Sequence, residues 1–101
     1  MPRLSLEFPH SIGQEEAARR LKEKFAAARA EHQDRVNDFH DEWKDHTFFF
    51  AFKALGMAVG GTVAVEPERI VLEAEIPLAA MLVKRAIKDR LRQEVAGMLA
   101  P

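Results

Sequence analysis

Apolar and polar positions alternate at the start of the chain. Leu4, Leu6 and Phe8 fall on one side and Arg3, Ser5 and Glu7 on the other, the period-two pattern of a half-buried strand. Pro9 ends it. Ser11 and Gln14 have the spacing of a capping box and Gly13 is a competing N-cap, so a helix is expected to start between Ile12 and Gln14. Ala17, Ala18, Leu21, Phe25, Ala28, His32 and Val36 then recur at three- and four-residue steps, predicting an amphipathic helix of about six turns. Glu15–Arg19 and Glu16–Arg20 stand at the favourable i,i+4 order on its outer face.

After the polar bridge at Asn37 and Asp38, Phe39 to Trp43 reads as a short strand, and Lys44-Asp45-His46 as a tight turn. Thr47 to Leu55 carries four phenylalanines and gives the strongest strand signal. Phe48, Phe50 and Phe52 share a face and are expected in the core. Gly56 marks the next reversal. Met57 to Val65 is a further strand in which Gly60-Gly61 implies a bulge or the close approach of another backbone. Glu66-Pro67-Glu68-Arg69 has the proline of a type I turn, and Ile70 to Ile76 alternates as a last strand. Pro77 suits the start of a helix. That helix is expected to run from Leu78, with Ala80, Val83, Ile87, Leu91, Val95 and Met98 as its apolar stripe, and to fray near Gly97.

The order β-α-β-β-β-β-α, with tight turns between the last four strands, predicts a two-layer α+β fold: an antiparallel sheet with both long helices packed on one face. A length of 101 residues suits a single domain spanning residues 1–101. The chain has no cysteine, which excludes disulfides and thiol chemistry. No segment approaches the apolar length of a membrane span, and the charged, proline-containing N-terminus lacks a signal peptide's apolar run; a cytoplasmic protein with no integral membrane segment is expected. The net charge of −1 argues against a nucleic-acid partner. The charge is nevertheless uneven: residues 1–77 hold ten Lys/Arg and fourteen Asp/Glu, a net of −4, and residues 78–101 hold five and two, a net of +3.

If the Phe48/Phe50/Phe52 face meets the helices, the other face presents Phe49, Ala51, Ala58, Gly60, Thr62, Ala64 and Val71, fringed by Lys53, Glu73 and Glu75. A solvated antiparallel face is normally more polar. Either a partner subunit, a ligand or an apolar surface covers it, or a bulge at Gly60-Gly61 changes the parity. A second candidate is the ridge of Lys84, Lys88 and Arg92, flanked by Arg85, which could touch phosphates or anionic lipid heads. Asp89 and Glu94 partly neutralise it.

Catalytic candidates are weak. His40-Asp41 and Asp45-His46 flank one hairpin and could in principle offer nitrogen and oxygen ligands to a metal. Alternation puts His40 and Asp41 on opposite faces, however, and solvated turn residues are the simpler reading. His32 belongs at the polar edge of the helix stripe. Neither serine, Ser5 or Ser11, lies in a nucleophile elbow. Glu73 and Glu75 share a strand face as any solvent-facing pair does, and Gly60-Gly61 lacks the downstream lysine of a phosphate loop. No catalytic residue, metal site or cofactor is expected.

The whole pattern resembles the small bacterial polyhydroxyalkanoic acid system family of granule-region proteins. The resemblance rests on Pro9-His10, the helix entry Gly13-Gln14-Glu15-Glu16-Ala17, Trp43 before a turn, Phe50, Gly56, Gly61 followed by Val65, and Ile76-Pro77 before the last helix, where the family pattern favours Leu-Pro. It implies a cytoplasmic, non-enzymatic accessory or regulatory protein of polyester storage, meeting granule proteins, the granule surface or a second copy of itself as a homodimer. A small lipid- or acyl-binding protein of helix-grip type is the alternative, although the chain is short for enclosing a large cavity.

Overall fold

The computed structural model describes residues 2–54 and 56–101. Its elements are β1 (Arg3–Pro9), α1 (Gln14–Glu31), β2 (Val36–Lys44), β3 (Thr47–Ala54), β4 (Met57–Val65), β5 (Arg69–Glu75), a 3-10 segment (Leu78–Val83) and α2 (Lys84–Leu99). Among the described residues the strands form one antiparallel sheet in the order β1-β5-β4-β3-β2. The α+β architecture and the element order follow the expectation from the sequence. Leu55, expected to end the phenylalanine-rich strand, lies outside the described residues.

The inner face of the sheet is built by register. Leu4, Leu6 and Phe8 pair with Ala74, Leu72 and Ile70; Val63 and Val65 pair with Leu72 and Ile70; and Phe48, Phe50 and Phe52 pair with Val63, Gly61 and Val59. Ala17, Ala18 and Leu21 of α1 and Leu99 of α2 join Leu4, Leu6, Phe8, Val65, Ile70, Leu72 and Ala74 in one buried cluster. Both helices therefore cover the same face.

Gly13 starts α1 from a φ of 87°, a conformation that costs a side-chain-bearing residue and that glycine adopts freely. The junction is then pinned to the β4–β5 turn. His10 donates from its main-chain N–H to the Glu68 carbonyl and contacts the Glu66 carbonyl through Nε2 at 3.0 Å, while Gln14 Nε2 donates to the Val65 carbonyl at 2.9 Å. At the far end Arg20 donates to the Met98 and Ala100 carbonyls at 3.0 and 2.6 Å, capping the last turn of α2 from α1.

Three local expectations are corrected. The first helix ends at Glu31: the His32 N–H closes the last turn on Ala28, and the Arg35 N–H bonds the His32 carbonyl in a polar turn. Val36, at helical spacing only by coincidence, instead pairs with Ala54 at the start of β2. The second concerns the bulge, one of two alternatives at Gly60-Gly61: the register runs unbroken on both sides, and Gly61 instead makes the close backbone approach that is the other. The register shift lies between Asn37 and His40, beside Asp38 at a φ of 51°. It brings Phe39 over Phe52, with ring centroids 5.8 Å apart and planes 3° from parallel.

The third correction concerns Leu78–Val83, which is 3-10 and not α-helical. Val83 is therefore not on the buried stripe; Ile87, Leu91, Val95 and Met98 are packed against the core. No helix among the described residues is long and apolar enough to cross a membrane.

Candidate functional site

The outer sheet face is centred on β3 and β4. Phe49 lies opposite Thr62, Ala51 opposite Gly60, Lys53 opposite Ala58 and Thr47 opposite Ala64, and Ala64 lies opposite Val71 on β5. Phe49, Ala51 and Ala58 are exposed, and Gly60, Thr62, Ala64 and Val71 half-buried. The unbroken register keeps all seven residues on one side, as alternation requires. Charge borders the strip directly: Glu75 and Glu73 of β5 lie opposite Gly60 and Thr62 and pair with Arg3 at 3.7 and 3.9 Å, Glu42 of β2 lies opposite Phe49, Lys53 at one end pairs with Asp38 at 3.6 Å, and Arg69 pairs with Glu7 at 2.9 Å. Lys44 Nζ sits 5.9 Å from the Phe49 ring centre, within cation–π range. What remains in the middle is a strip of small uncharged side chains around one phenyl ring.

The helical side is less sealed than the apolar stripes imply. Phe48 is 2 % exposed, but Phe50 and Phe52, on the same face, are only half-buried. The second half of α1 stands off the sheet as a ridge, with Phe25, Ala28 and His32 bordering a cleft on each side. One cleft, of about 530 Å³, lies between α1 and α2 over Phe50, Val63 and Leu72, closed at the side by Leu91, Val95 and Met98. The other, of about 770 Å³, lies between α1 and β2 over Phe39, Trp43 and Phe52.

Lys24 of α1 reaches Glu94 of α2 at the mouth of the first cleft, and Arg90 reaches the same carboxylate at 3.1 Å. The Lys24 hydrogen bond, with help from Arg90, holds the Glu94 carboxyl below the usual carboxylate range. Nearer the start of α1, hydrogen bonds from Arg19 and Arg20 push the Glu16 carboxyl down to about 2.

The basic ridge divides. Lys84 and Lys88 are half-buried and Arg92 is exposed, with Arg92 Nη1 3.7 Å from Asp89. The histidine–carboxylate hairpin does not converge: Asp41 faces α1 and pairs with Arg29 at 3.5 Å, His40 lies on the outer face opposite Ala51, and His46 Nε2 contacts Glu15 Oε1 at 2.6 Å. Among the described residues no three His, Asp or Glu side chains gather as a metal site would need.

Two features escaped the sequence reading. The clefts depend on how far α1 stands from the sheet, which a stripe of apolar residues does not encode. At Leu78–Val83 the sequence predicts a regular helix that turns Ala80 and Val83 inward, and the 3-10 geometry that leaves Val83 exposed with Leu78, Met81 and Leu82 has no signal in the apolar spacing.

A family model described as "putative polyhydroxyalkanoic acid system protein" matches residues 4–99. Among curated proteins none matches the chain.

Proposed function

Because this chain belongs to the polyhydroxyalkanoic acid system family, we propose that it is a non-catalytic accessory protein of polyester storage in the bacterial cytoplasm, acting by contact with granules or with the proteins that coat them. The observation that carries this reading is the uncharged strip of Phe49, Ala51, Ala58, Gly60, Thr62, Ala64 and Val71, which runs between Glu73 and Glu75 of β5, paired with Arg3, and Glu42 of β2. Small side chains on a flat sheet let an apolar surface approach closely, and each Å² of apolar area removed from water contributes about 25 cal/mol. The same strip could also be covered by a second copy of the chain in a homodimer.

The test is fractionation of storage granules from cells carrying the tagged protein and its Ala51→Arg variant. Wild-type protein is expected with the granules and the variant in the soluble fraction. Wild-type protein found wholly in the soluble fraction overturns the reading. Equal granule association of the folded variant removes the sheet face from it.

A second reading, an acyl-ligand binding protein, is favoured by the cleft over Phe50, Val63 and Leu72. Its volume of about 530 Å³ falls within the range of small-molecule sites, about 300–1,000 Å³, although it is open and not enclosed. Native mass spectrometry separates the two: a copurifying acyl compound supports the binder, and bare protein supports the contact module.

A further inference from the structure

The four most exposed of the large apolar side chains among the described residues fall within one six-residue stretch that belongs neither to the sheet nor to the clefts. Leu78 is 76 % exposed, Met81 41 %, Leu82 93 % and Val83 52 %. They belong to the 3-10 segment that leads from Pro77 into α2. Three residues per turn stacks Leu78 on Met81 and Ala79 on Leu82, so two of the three edges of the segment turn leucine and methionine to solvent. The third edge carries Ala80, half-buried, and Val83, exposed. A short run such as this gains nothing for the fold by exposing four large apolar groups, because burial of each would contribute to stability.

The charge beside it has one sign. Residues 76–88 contain no Asp or Glu, and Lys84, Arg85 and Lys88 follow the apolar run directly. Within α2 the ion pairs are Arg90 with Glu94 and Arg92 with Asp89; Lys84, Arg85 and Lys88 join no ion pair among the described residues. Exposed leucines with unneutralised cations at one end complement a surface that is apolar beneath and anionic at its boundary. This is how an interfacial segment lies on a lipid layer without crossing it.

We propose that Leu78–Lys88 is a peripheral docking segment for an anionic phospholipid surface, with Leu78, Met81 and Leu82 entering the boundary between headgroups and acyl chains and Lys84, Arg85 and Lys88 meeting the phosphates. This is independent of the sheet-face reading, since it uses none of the seven strip residues and a different target.

The test is cosedimentation of the full chain with vesicles of phosphatidylglycerol mixed with phosphatidylcholine, and with phosphatidylcholine alone. Wild-type protein is expected to pellet with the mixed vesicles, to be released by high salt, and to stay in solution with the neutral ones. Leu82→Glu should weaken partitioning about ten-fold or more, as loss of one buried leucine implies. Lys84→Gln should weaken it roughly five-fold, as loss of one interfacial charge implies. Circular dichroism of each variant confirms the fold, and the salt release needs no variant.

Failure of wild-type protein to pellet, equal pelleting with neutral vesicles, or unchanged pelleting of folded Leu82→Glu would each overturn the proposal. So would a concentration-dependent dimer that Leu82→Glu dissociates without any vesicle binding, for the segment would then face a second copy.

Discussion

Gly61 of β4 lies so close to Glu73 of β5 that a Cβ built on it would stand 2.2 Å from the Glu73 carbonyl oxygen and 2.7 Å from the Ala74 Cα. Its neighbour Gly60 has ordinary clearance, with the nearest atom, the Phe50 carbonyl oxygen, at 3.4 Å. Two adjacent glycines therefore do different work. Gly61→Ala should lower stability by about 2–3 kcal/mol or more, because backbone and not a flexible side chain must move. Gly60→Ala should stay within about 1 kcal/mol of wild type, since alanine suits a strand better than glycine. Urea denaturation of the two variants checks this, and equal losses would contradict it.

The phenylalanines of β3 divide in a similar way. Phe48 is enclosed, its ring 4.4 Å from Phe25 and 5.1 Å from Trp43, so Phe48→Ala should cost about 3–5 kcal/mol. Phe50 forms the floor of the cleft between the helices and is half-buried. Phe50→Ala should cost only about 1–3 kcal/mol. The measurement is the midpoint shift in chemical denaturation, with the larger shift for Phe48.

Acid should act through Glu16 and Glu94. Both carboxyls are held below their ordinary value of 4.5, Glu16 at about 2. A carboxyl lowered in the folded state contributes stability that is complete above its unfolded value and is lost as pH falls through the folded one. The melting temperature should thus decline from about pH 5 downward. The slope should be shallower in Glu94→Gln, which also loses the Lys24 bridge between the helices. Both groups are surface residues, so the effect should be modest and weaken with salt. Carboxyl NMR titration gives the direct check: a Glu16 midpoint near 4.5 would refute the assignment.

Ala51→Arg probes the outer face. Ala51 is exposed opposite Gly60, so arginine there should leave the melting temperature within a few degrees of wild type, as surface substitutions usually do. If a second copy covers the strip, the variant should be monomeric in sedimentation equilibrium where wild type is dimeric.

The strands were legible because alternation survives packing. Met57–Val65 agrees with its expected limits to the residue, and Leu4, Leu6 and Phe8 are the inward set. The helix limits were less so. His32 and Val36 continue the spacing of α1, yet Val36 is taken by Ala54 of β3, a tertiary pairing that local periodicity does not carry. Leu78–Val83 shows the reverse case: six apolar residues after a proline satisfy helical propensity, and the structure makes them 3-10 and leaves most of them in water. The seven residues of the outer face could be located because they need only parity, whereas the clefts need the distance between layers.

Of the five strands, the edge strand β1 comes earliest in the chain and its partner β5 comes latest, Arg3 lying opposite Glu75. On a ribosome, β2 to β5 can zip together as successive hairpins as they emerge, but β1 has no strand to pair with until β5 is available. Their pairing closes a loop of most of the chain and should come late in folding. For that interval the main-chain edge of β1 stays unpaired, the kind of transiently exposed strand edge that invites aggregation.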